Sequence, residues 1–331
     1  MSTATLNGAV LVTGGAGFIG SHVTEAYLAA DYAVTVLDDL SSGRLENVPA
    51  GARFVHADVR SREARELLAK GGFTIVNHHA AQISVQYSVN NPVADAAVNV
   101  VGLLNVLEGA RAGNVTRVLL ASSGAIYGQD GSLPIHENAP KLPMSPYGVA
   151  KLASEYYLAV YGRLYGIETM VLRYSNVYGP RQDPRGEAGV VALFSQRLVA
   201  GQPLIVYGDG AQTRDMIYVA DVAGANIAAS HCPVVPLTDL DARAYNIATG
   251  VETPINRLAM VLSEVAGRPA TLRHVPERRG ETRRSALASH KATRDLGWQP
   301  KASLVDGLRA TLYWVGEEAP PSTLRSHAPE S

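Results

Sequence analysis

A closely spaced set of glycines near the N-terminus constrains the fold of this chain more than any other feature. Gly14, Gly17 and Gly20 stand three residues apart and directly follow the short apolar segment Ala9–Thr13. The next segment, Ser21–Ala30, has the apolar spacing of a helix. A strand that turns into a helix through such glycines brings backbone N–H groups and a helix N-terminus close to a pyrophosphate. The pattern therefore predicts a dinucleotide-binding loop rather than an ordinary structural turn.

An acidic residue follows the second predicted strand, Ala33–Leu37. Asp38 lies at about the distance from the glycines at which a carboxylate binds the adenosine ribose hydroxyls. Because this carboxylate would repel a 2′-phosphate, the sequence favours NAD over NADP. Asp58 follows the next strand, Arg53–His56. From its position alone, Asp58 either accepts a hydrogen bond from the adenine amino group or caps a helix.

Short apolar segments alternate with helical segments through the first half of the chain. This alternation is typical of a parallel sheet that is covered by helices on both faces. The sequence therefore predicts an α/β fold, a doubly wound parallel-sheet Rossmann domain. The predicted elements are the strands Ala9–Thr13, Ala33–Leu37, Arg53–His56, Thr74–Asn77, Arg117–Ala121 and Glu168–Leu172 and the helices Ser21–Ala30, Arg62–Lys70, Asn99–Ala112 and Pro146–Tyr165.

The second half is less regular and predicts a smaller C-terminal α/β domain that binds the substrate. Turn-rich segments separate its short elements, and Ala244–Ile247 has the composition of a late strand that rejoins the first sheet. The expected division assigns residues 1–176, with about 220–250 returning, to the dinucleotide domain, 177–219 and 251–315 to the substrate domain, and 316–331 to a loose tail rich in Pro and Ser.

The charge balance and cysteine content argue against several functional classes. Lys and Arg number 29 against 30 Asp and Glu, so the net charge of −1 gives no general attraction to nucleic acid or to an anionic membrane. Cys232 is the single cysteine, which rules out an intramolecular disulfide, and we expect no metal site. We expect no membrane-spanning helix either, since no apolar run approaches ~18 residues. The prediction is a cytoplasmic protein without nucleic-acid or membrane partners.

A tyrosine and a lysine are the best candidates for catalytic groups. Tyr147 and Lys151 lie four residues apart in the predicted helix Pro146–Tyr165, so their side chains share one face. An ammonium group beside a phenol stabilises the phenolate and lowers a pKa that is ordinarily ~10, which makes the phenol a plausible base. Ser122 and Ser123 follow the preceding strand and offer hydroxyls to a reacting oxygen. Together with a dinucleotide loop, these groups suit reversible hydride transfer.

These segments together resemble the extended short-chain dehydrogenase/reductase family, and within it the bacterial UDP-glucose (UDP-galactose) 4-epimerases. The resemblance covers about residues 9–315. The motifs that carry it are Thr13–Gly20, Asp38–Gly43, His79–Gln82, Ser122–Gly128, Ser145–Lys151, Arg173–Gln182 and Gly208–Asp215. The resemblance implies bound NAD, a UDP-sugar substrate, and a homodimer that forms through helices at about 93–112 and 147–165.

The resemblance also implies roles for individual positions. Ser123 takes the place of the family's catalytic Ser or Thr, with Ser122 as second candidate; Tyr147 is the base, and Lys151 binds the ribose and tunes Tyr147. The implied cofactor contacts are Gly14, Gly17, Phe18, Ile19, Gly20, Asp38, Asp39, Leu40, Ser42, Gly43, Asp58 and Val59 (both beside the adenine), Ala80, Ala81, Gln82, Asn99, Tyr147 and Lys151.

Substrate contacts are implied in the same way, mostly in the second half of the chain. Arg214 and Arg278 are taken to bind the UDP diphosphate with Asn176, although arginines in turns are often merely solvated. The implied substrate contacts are Ser84, Ser123, Tyr147, Asn176, Val190, Val191, Tyr207, Arg214, Arg278, Glu281 and Ser285, of which Val190, Val191 and Tyr207 match the uridine side.

The leading functional hypothesis is a UDP-hexose 4-epimerase. Tyr147 would take the 4-hydroxyl proton while hydride passes from C4 to NAD, and hydride would return to the other face of the transient 4-keto sugar. Alternatives are a UDP-glucuronic acid 4-epimerase, a nucleotide-sugar 4,6-dehydratase and a non-catalytic NAD-binding sensor. A dehydratase needs an acid and a base beside its catalytic hydroxyl, whereas Gly124 and Ala125 follow Ser123 here. The presence of Ser123, Tyr147 and Lys151 together argues against a sensor.

Ser285 predicts the substrate range. In the 4-epimerases, the position seven after the diphosphate-binding Arg borders the hexose pocket, and counting from Arg278 gives Ser285. A Tyr there fills the space that a 2-acetamido group needs, whereas Ser leaves room. The alternative is that Ser285 is simply a small polar residue on a strand.

We expect the enzyme to epimerise UDP-GlcNAc and UDP-GalNAc as well as UDP-glucose and UDP-galactose. Ser285→Tyr should lose the N-acetylated pair and retain the plain hexoses, because the phenol ring and the acetamido group cannot share one space. The measurement is kcat/KM for both pairs in both proteins. A wild type that is inactive on UDP-GlcNAc would contradict the prediction.

Overall fold

Seven parallel strands form the central sheet of the computed structural model, which describes residues 7–128, 132–184, 189–277 and 282–318. The strands of the chain are β1 (Ala9–Thr13), β2 (Ala33–Asp38), β3 (Arg53–His56), β4 (Ile75–His78), β5 (Arg117–Ser123), β6 (Glu168–Tyr174), β7 (Asn176–Tyr178), β8 (Leu204–Tyr207), β9 (Thr213–Arg214), β10 (Met216–Tyr218), β11 (Ala244–Ile247), β12 (Thr253–Pro254) and β13 (Leu272–Val275).

The strand order shows where the sheet changes direction. Across the sheet it runs β11–β6–β5–β4–β1–β2–β3, so the chain winds outward in opposite directions from β1. Thr13, at the end of β1, stands between Leu37 of β2 and His78 of β4. In open α/β sheets, ligands bind at the carboxyl ends of the strands beside such a switch point. The doubly wound α/β fold predicted from the sequence is confirmed, and the late strand β11 pairs with β6.

Helices cover both faces of this sheet. They are α1 (Phe18–Ala29), α2 (Arg62–Lys70), α3 (Val85–Asn90), α4 (Pro92–Ala96), α5 (Gly102–Ala112), α6 (Pro146–Tyr165), α7 (Val190–Val199), α8 (Val219–His231), α9 (Ile255–Ala266), α10 (His290–Leu296) and α11 (Leu304–Glu318). Alternate residues of β1 point to opposite faces: Val10 and Val12 pack with α1 and α8, and Leu11 packs with α2 and α5. Two apolar cores therefore share one sheet.

Several elements extend beyond their predicted bounds, and each extension has a local cause. The helix predicted from Asn99 begins at Pro92, because a π-helical turn, Ala97–Val101, joins α4 to α5. Strands β5 and β6 continue to Ser123 and Tyr174, because those two residues still pair with each other. The first helix begins inside the glycine loop at Phe18, with Gly17 as its N-cap.

One helical stretch of the described residues, Pro92–Ala112, is long and apolar enough by length and composition to cross a membrane. The sequence-based expectation of no such segment is therefore wrong on that criterion, because the π-helical turn makes two short apolar helices continuous. In the structure the stretch packs against α2 and α6, and 44% of its most apolar window is buried. A core helix passes the same test, so the stretch is weak evidence for a membrane span.

A separate apolar cluster joins elements from the second half of the chain. Helices α7, α9 and α11 pack around Phe194, Leu258 and Leu308. Short strands link these helices: β8 pairs with β13, β9 with β12, and β7 with β10. We propose that these elements form the substrate domain. Helix α11 continues to Glu318, two residues past Gly316, where the loose tail was predicted to begin, because Val315 still packs inward; residues 319–331 lie outside the described residues.

A buried ion pair joins α6 to the sheet. The side chains of Arg173 in β6 and Glu155 in α6 are both 0% exposed, and Arg173 Nη2 donates to Glu155 Oε2 over 2.7 Å. Arg173 Nη1 also donates to the hydroxyl of Tyr127 over 2.9 Å, and Nη2 donates to Asp241 over 2.7 Å. Removing one partner of such a pair leaves an uncompensated buried charge, which destabilises strongly.

Glu155→Gln should lower the free energy of unfolding by about 3 kcal/mol, because Arg173 then keeps its buried charge without its main counter-ion. The matched control is Glu66→Gln, which breaks an exposed pair with Arg62 one turn away on α2 and should change stability little. Equilibrium urea unfolding of both variants measures the difference. Equal losses in the two variants would contradict the assignment of the buried pair as the stronger interaction.

Candidate active site

A cleft lies at the carboxyl edge of the sheet, beside the switch point between β1 and β4. Its lining residues are Gly14, Gly17, Phe18, Ile19, Gly20, Asp38, Asp39, Ser41, Ser42, Ala57, Asp58, Val59, His79, Ala80, Ala81, Ile83, Val98, Ala121, Ser122, Tyr147, Lys151 and Tyr174. All of the predicted cofactor contacts are among them except Leu40, Gly43, Gln82 and Asn99. Gln82 and Asn99 support the lining through hydrogen bonds, and the N–H of Leu40 donates to Asp38.

The glycine loop makes the floor of the cleft by close backbone packing. Gly14 has a φ of +70°, and a Cβ there would lie 2.6 Å from the amide nitrogen of Ala80. A Cβ on Gly20 would lie 2.1 Å from the carbonyl oxygen of Gly14. No side chain caps the first turn of α1 at Gly17, so the N–H groups of that turn keep their capacity for a ligand. These glycines fit a pyrophosphate that approaches the backbone closely.

Asp38 ends β2 with its carboxylate fixed by two backbone donors. The N–H groups of Ala16 and Leu40 donate to its two oxygens over 3.0 and 2.8 Å. Burial raises the pKa of this carboxyl, and the two backbone hydrogen bonds oppose the rise. A Cβ on Gly43 would lie 2.9 Å from Asp38 Oδ1, so the loop passes closely over the carboxylate. Asp38 therefore lies in the cleft wall in one orientation.

Asp58 lies in the wall of the cleft after β3, and its carboxylate already has a partner. Arg60 donates from its backbone N–H over 2.7 Å and from Nε over 2.9 Å to Asp58 Oδ1. These hydrogen bonds lower the pKa of the Asp58 carboxyl. The side chain is thus an ionised acceptor that Arg60 holds beside Val59. Asp58 does not cap the following helix, α2, whose N-cap is Ser61.

Two adjacent serines end β5, and their hydroxyls have different partners. Ser122 Oγ donates to Glu155 over 2.5 Å, inside the buried ion pair. Ser123 Oγ accepts the N–H of Ala125 over 3.1 Å, and Ser123 acts to lower the pKa of the nearby Tyr147 phenol. Because neighbouring residues of a strand point to opposite sides, only one of the two serines meets Tyr147. The geometry therefore favours Ser123 over Ser122 as the group beside the phenol.

Helix α6 presents Tyr147 and Lys151 to the cleft. Ser145 caps its first turn by accepting the N–H of Gly148 over 3.1 Å, and Pro146 occupies the first helical position. The helix thus begins immediately before Tyr147, within reach of the end of β5. The ammonium of Lys151 lies 5.8 Å from the centre of the Tyr147 ring, as expected for residues one turn apart.

Burial dominates the electrostatics of this pair. It raises the pKa of Tyr147 to about 12 and lowers the pKa of Lys151 to about 8. The charges of Asp95 and Glu155 oppose the second effect and favour the ammonium. Lys151 Nζ donates to the carbonyl oxygen of Ala121 over 2.9 Å. In the free protein Tyr147 is therefore a neutral phenol, poised beside a lysine that titrates close to neutral pH.

Gln82 and Asn99 support the cleft through a third residue. Both donate side-chain amides to Asp95 Oδ1, over 2.6 and 2.9 Å, and Gln82 N–H donates to Asn99 Oδ1 over 3.0 Å. Asp95 itself is 1% exposed. This cluster fastens the loop after β4, which lines the cleft through Ala80 and Ala81, to the start of the α4–α5 stretch.

The predicted substrate contacts are spread over the second half of the structure. Asn176 begins β7 and is exposed, Tyr207 ends β8, and Val190 begins α7. Val191 is buried in the apolar cluster of that half, so its side chain packs inward. Ser84 caps α3 by accepting the N–H of Tyr87 over 2.9 Å. Arg278 and Glu281 lie outside the described residues.

Asp215 brings the segment of Ser285 to the end of β5. Its carboxylate accepts the N–H groups of Thr249, Gly250 and Leu287 over 2.9 to 3.1 Å. A Cβ on Gly124 would lie 3.1 Å from the side chain of Leu287. Leu287 therefore lies close to Gly124, the residue that follows Ser123. Ser285, which is half-buried, precedes Leu287 by two residues. Arg214, next to Asp215, donates to the carbonyl oxygen of Thr282 over 2.7 Å.

Three buried charges near the cleft were missed by reasoning from the sequence: Asp95, Glu155 and Arg173. Each had a local signal. Glu155 lies one turn after Lys151 on the same helix, and Arg173 interrupts an otherwise apolar strand. Asp95 is the single charge in the apolar stretch from Pro92 to Leu107. A charge inside an apolar element has to find a partner or a function.

The arrangement fits a dinucleotide by its own chemistry. The glycines leave room for a pyrophosphate that side chains would fill, Asp38 offers a fixed acceptor, and Tyr147 and Lys151 lie at the same edge of the sheet. Among the described residues, no group of three or more His, Cys, Asp or Glu side chains is placed to hold a metal ion.

Comparison with known proteins gives consistent matches along the chain. The model of the NAD dependent epimerase/dehydratase family matches residues 10–248. A UDP-glucose 4-epimerase of Mycolicibacterium smegmatis is 42% identical over 308 residues, which are 91% of this chain and 96% of the relative.

Two solved structures share both sequence and fold with this chain. One is a UDP-glucose 4-epimerase from Thermotoga maritima with UDP-glucose, with 42% identity, a TM-score of 0.88, and 92% and 98% of the two chains covered. The other is a Thermus thermophilus UDP-glucose 4-epimerase complex with NAD, with 42% identity, a TM-score of 0.87, and 94% and 100% covered. With the family model matched over most of its length, this chain belongs to the NAD-dependent epimerase/dehydratase family.

Proposed function

We propose that this protein is an NAD-dependent UDP-hexose 4-epimerase that interconverts UDP-glucose and UDP-galactose, and also, through the small side chain of Ser285, the N-acetylhexosamine pair. The observation that carries the proposal is the placement of Tyr147 and Lys151 one turn apart on α6, at the edge of a dinucleotide cleft, with Ser123 at the adjoining end of β5. The UDP-glucose and NAD complexes of relatives that are 42% identical support the same substrate and cofactor.

The residues of the cleft would hold the cofactor in three places. The glycine loop receives the pyrophosphate, Asp38 accepts from the adenosine ribose, and Lys151 donates to the second ribose. NAD, when bound there, supplies reversible hydride acceptance at C4 of the sugar. Asp38 also selects against a 2′-phosphate, because its carboxylate is held at the cleft by Ala16 and Leu40.

Tyr147 is the group that moves the proton of the 4-hydroxyl. Burial raises the pKa of Tyr147 to about 12, and the neighbouring Ser123 opposes this rise and favours the phenolate. The ammonium of Lys151 adds a positive charge one turn away, so the phenol becomes a better base when Lys151 is protonated. The hydroxyl of Ser123 would bind the same sugar oxygen, the 4-oxygen, on which the charge changes. The same two groups return the proton at the end of the cycle, which needs no external oxidant.

The residue after Ser123 distinguishes a 4-epimerase from a 4,6-dehydratase. A 4,6-dehydratase needs an acid beside the catalytic hydroxyl, but position 124 is a glycine whose Cβ would already lie 3.1 Å from Leu287. An acidic side chain there would therefore require the side chain of Leu287 to shift. A UDP-glucuronic acid 4-epimerase shares the same catalytic groups, and the substrate panel below distinguishes it.

The outer faces of α4, α5 and α6 support the homodimer that the resemblance implies. Exposed apolar side chains on these helices are Val93, Val101, Tyr156, Tyr157, Val160 and Leu164. Several exposed apolar side chains on helices that pack together, rather than any one of them, are typical of a surface that a partner covers. We propose that a second copy packs on this face in a cytoplasmic enzyme, and sedimentation velocity measures the resulting mass.

Incubation with UDP-glucose, UDP-galactose, UDP-GlcNAc and UDP-glucuronic acid, followed by chromatography, tests the activity. Tyr147→Phe should lower kcat about 10²- to 10⁴-fold with KM little changed, because the proton carrier is lost and the ring remains. Tyr156→Phe, on the outer face of the same helix, is the control and should keep wild-type kcat. Near-normal turnover in Tyr147→Phe would exclude the proposed base, and turnover of UDP-glucuronic acid alone would favour the alternative.

Asp38→Ala should weaken NAD binding about ten- to hundred-fold and reduce discrimination against NADP, because a charged acceptor is lost and the repulsion of a 2′-phosphate disappears. Glu63→Ala is the control, because it removes an exposed carboxylate from α2, outside the cleft lining. It should stay close to the wild type. Calorimetric titration with both dinucleotides measures the effect. The assignment fails if the wild type binds NADP more tightly than NAD.

A further inference from the structure

Asp95 is a buried carboxylate that its hydrogen bonds only half satisfy. Its Oδ1 accepts from Gln82 and Asn99, whereas its Oδ2 is buried and has no hydrogen-bond partner among the described residues. The side chain is 1% exposed and lies in α4, which packs on α6 beside the catalytic helix face. An ionised carboxylate in such a place is unfavourable unless a positive charge lies nearby.

The charged groups around Lys151 show which carboxylate can serve as its counter-charge. On its own helix, Glu155 also favours the ammonium, but its carboxylate is bound by the guanidinium of Arg173 from β6, which offsets much of its charge. His78 and His79, at the end of β4, have pKa values that burial lowers to about 3, so both are neutral. The carboxylate of Asp95, in α4, is the remaining anion.

Lys151 is likewise a buried charge that needs a counter-charge. Lys151 is almost fully buried, and its one hydrogen-bond acceptor among the described residues is the neutral carbonyl oxygen of Ala121. Asp95 and Lys151 lie on α4 and α6, two helices that pack against each other, and each charge favours the ionised form of the other. Each reduces the cost of burying the other.

We propose that Asp95 is a positioning residue of the active site: its carboxylate is the counter-charge that keeps buried Lys151 protonated, while its hydrogen bonds to Gln82 and Asn99 hold the loop after β4 at the cleft. The proposal deepens the epimerase assignment, on which the role of Lys151 in catalysis rests. The electrostatic part concerns this chain alone and can be tested without substrate or cofactor.

The direction of the effect follows from the sign of the charge. Asp95 raises the pKa of Lys151, which burial otherwise lowers to about 8, and it also raises the pKa of Tyr147. Removing the charge should lower both. Lys151 would then lose its proton at a lower pH, and the phenol would ionise more readily. The acidic and basic limbs of the pH profile of kcat/KM should therefore both move to lower pH. A merely structural defect would instead lower kcat/KM at every pH without moving the limbs.

The experiment titrates Lys151 directly in the cofactor-free protein. The chain has five lysines, so NMR of protein labelled with ¹³C at lysine Cε gives few signals, and the signal lost in Lys151→Met is assigned. In Asp95→Asn the Lys151 midpoint should fall by about one pH unit. The control is Asp221→Asn, which removes another buried helical carboxylate, one that accepts from the N–H groups of Lys301 and Ala302 far from the cleft. It should leave the midpoint unchanged.

Two further measurements keep the proposal testable if Asp95→Asn folds poorly. Asp95→Glu retains the charge and should restore most of the midpoint. In the wild type, the Asp95 carboxyl carbon should shift at the Lys151 midpoint, because the two charges interact. An unchanged midpoint in folded Asp95→Asn, or an Asp95 signal that is indifferent to the titration of Lys151, would overturn the proposal. Failure of the epimerase assay alone would leave the pairing intact and overturn the proposed function instead.

Discussion

The buried guanidinium of Arg173 is the interaction on which the geometry of the catalytic edge depends. It donates to both oxygens of Glu155, to the hydroxyl of Tyr127, to the carbonyl oxygen of Glu137 and to Asp241. These partners come from α6, from the end of β5 and from two loops. A displacement of any of them would leave a buried donor or charge unpaired, which is far more unfavourable than a change in apolar packing. Helix α6 is thereby fixed against the sheet.

The same ion pair distinguishes the two serine hydroxyls at the end of β5. Glu155 accepts from Ser122, so that hydroxyl is committed to the interior, and the alternation of the strand turns Ser123 towards Tyr147. Because Arg173 neutralises Glu155, the charge of Lys151 depends on its surroundings on the other side, where α4 packs. The basicity of the Tyr147 phenol is therefore set by residues on three elements, and only Lys151 belongs to its own turn of helix.

Sequence reasoning succeeded where a structural requirement is local. The bounds of α6 were predicted from Pro146 at its start, and the structure adds a Ser145 cap and a left-handed Gly166 at its end. The strand order could not be predicted residue by residue, although the alternating pattern was enough for the fold class. The buried charges had local signals, such as a single charge within an apolar stretch, but their partners could not be predicted, because whether Asp95 is solvated or enclosed depends on the packing of α4 against α6.

Asp215 shows how distant segments meet without a sequence signal. Its carboxylate is buried, which raises its pKa, and it accepts the backbone N–H groups of residues 249, 250 and 287 and the hydroxyl of Thr249 over 2.6 Å. The clamp carries Leu287 to within contact of Gly124, so the Ser285 segment has little freedom relative to the end of β5. A rigid wall of this kind is what lets one side chain discriminate between sugars, because a bulky group can be excluded only where the surroundings do not yield.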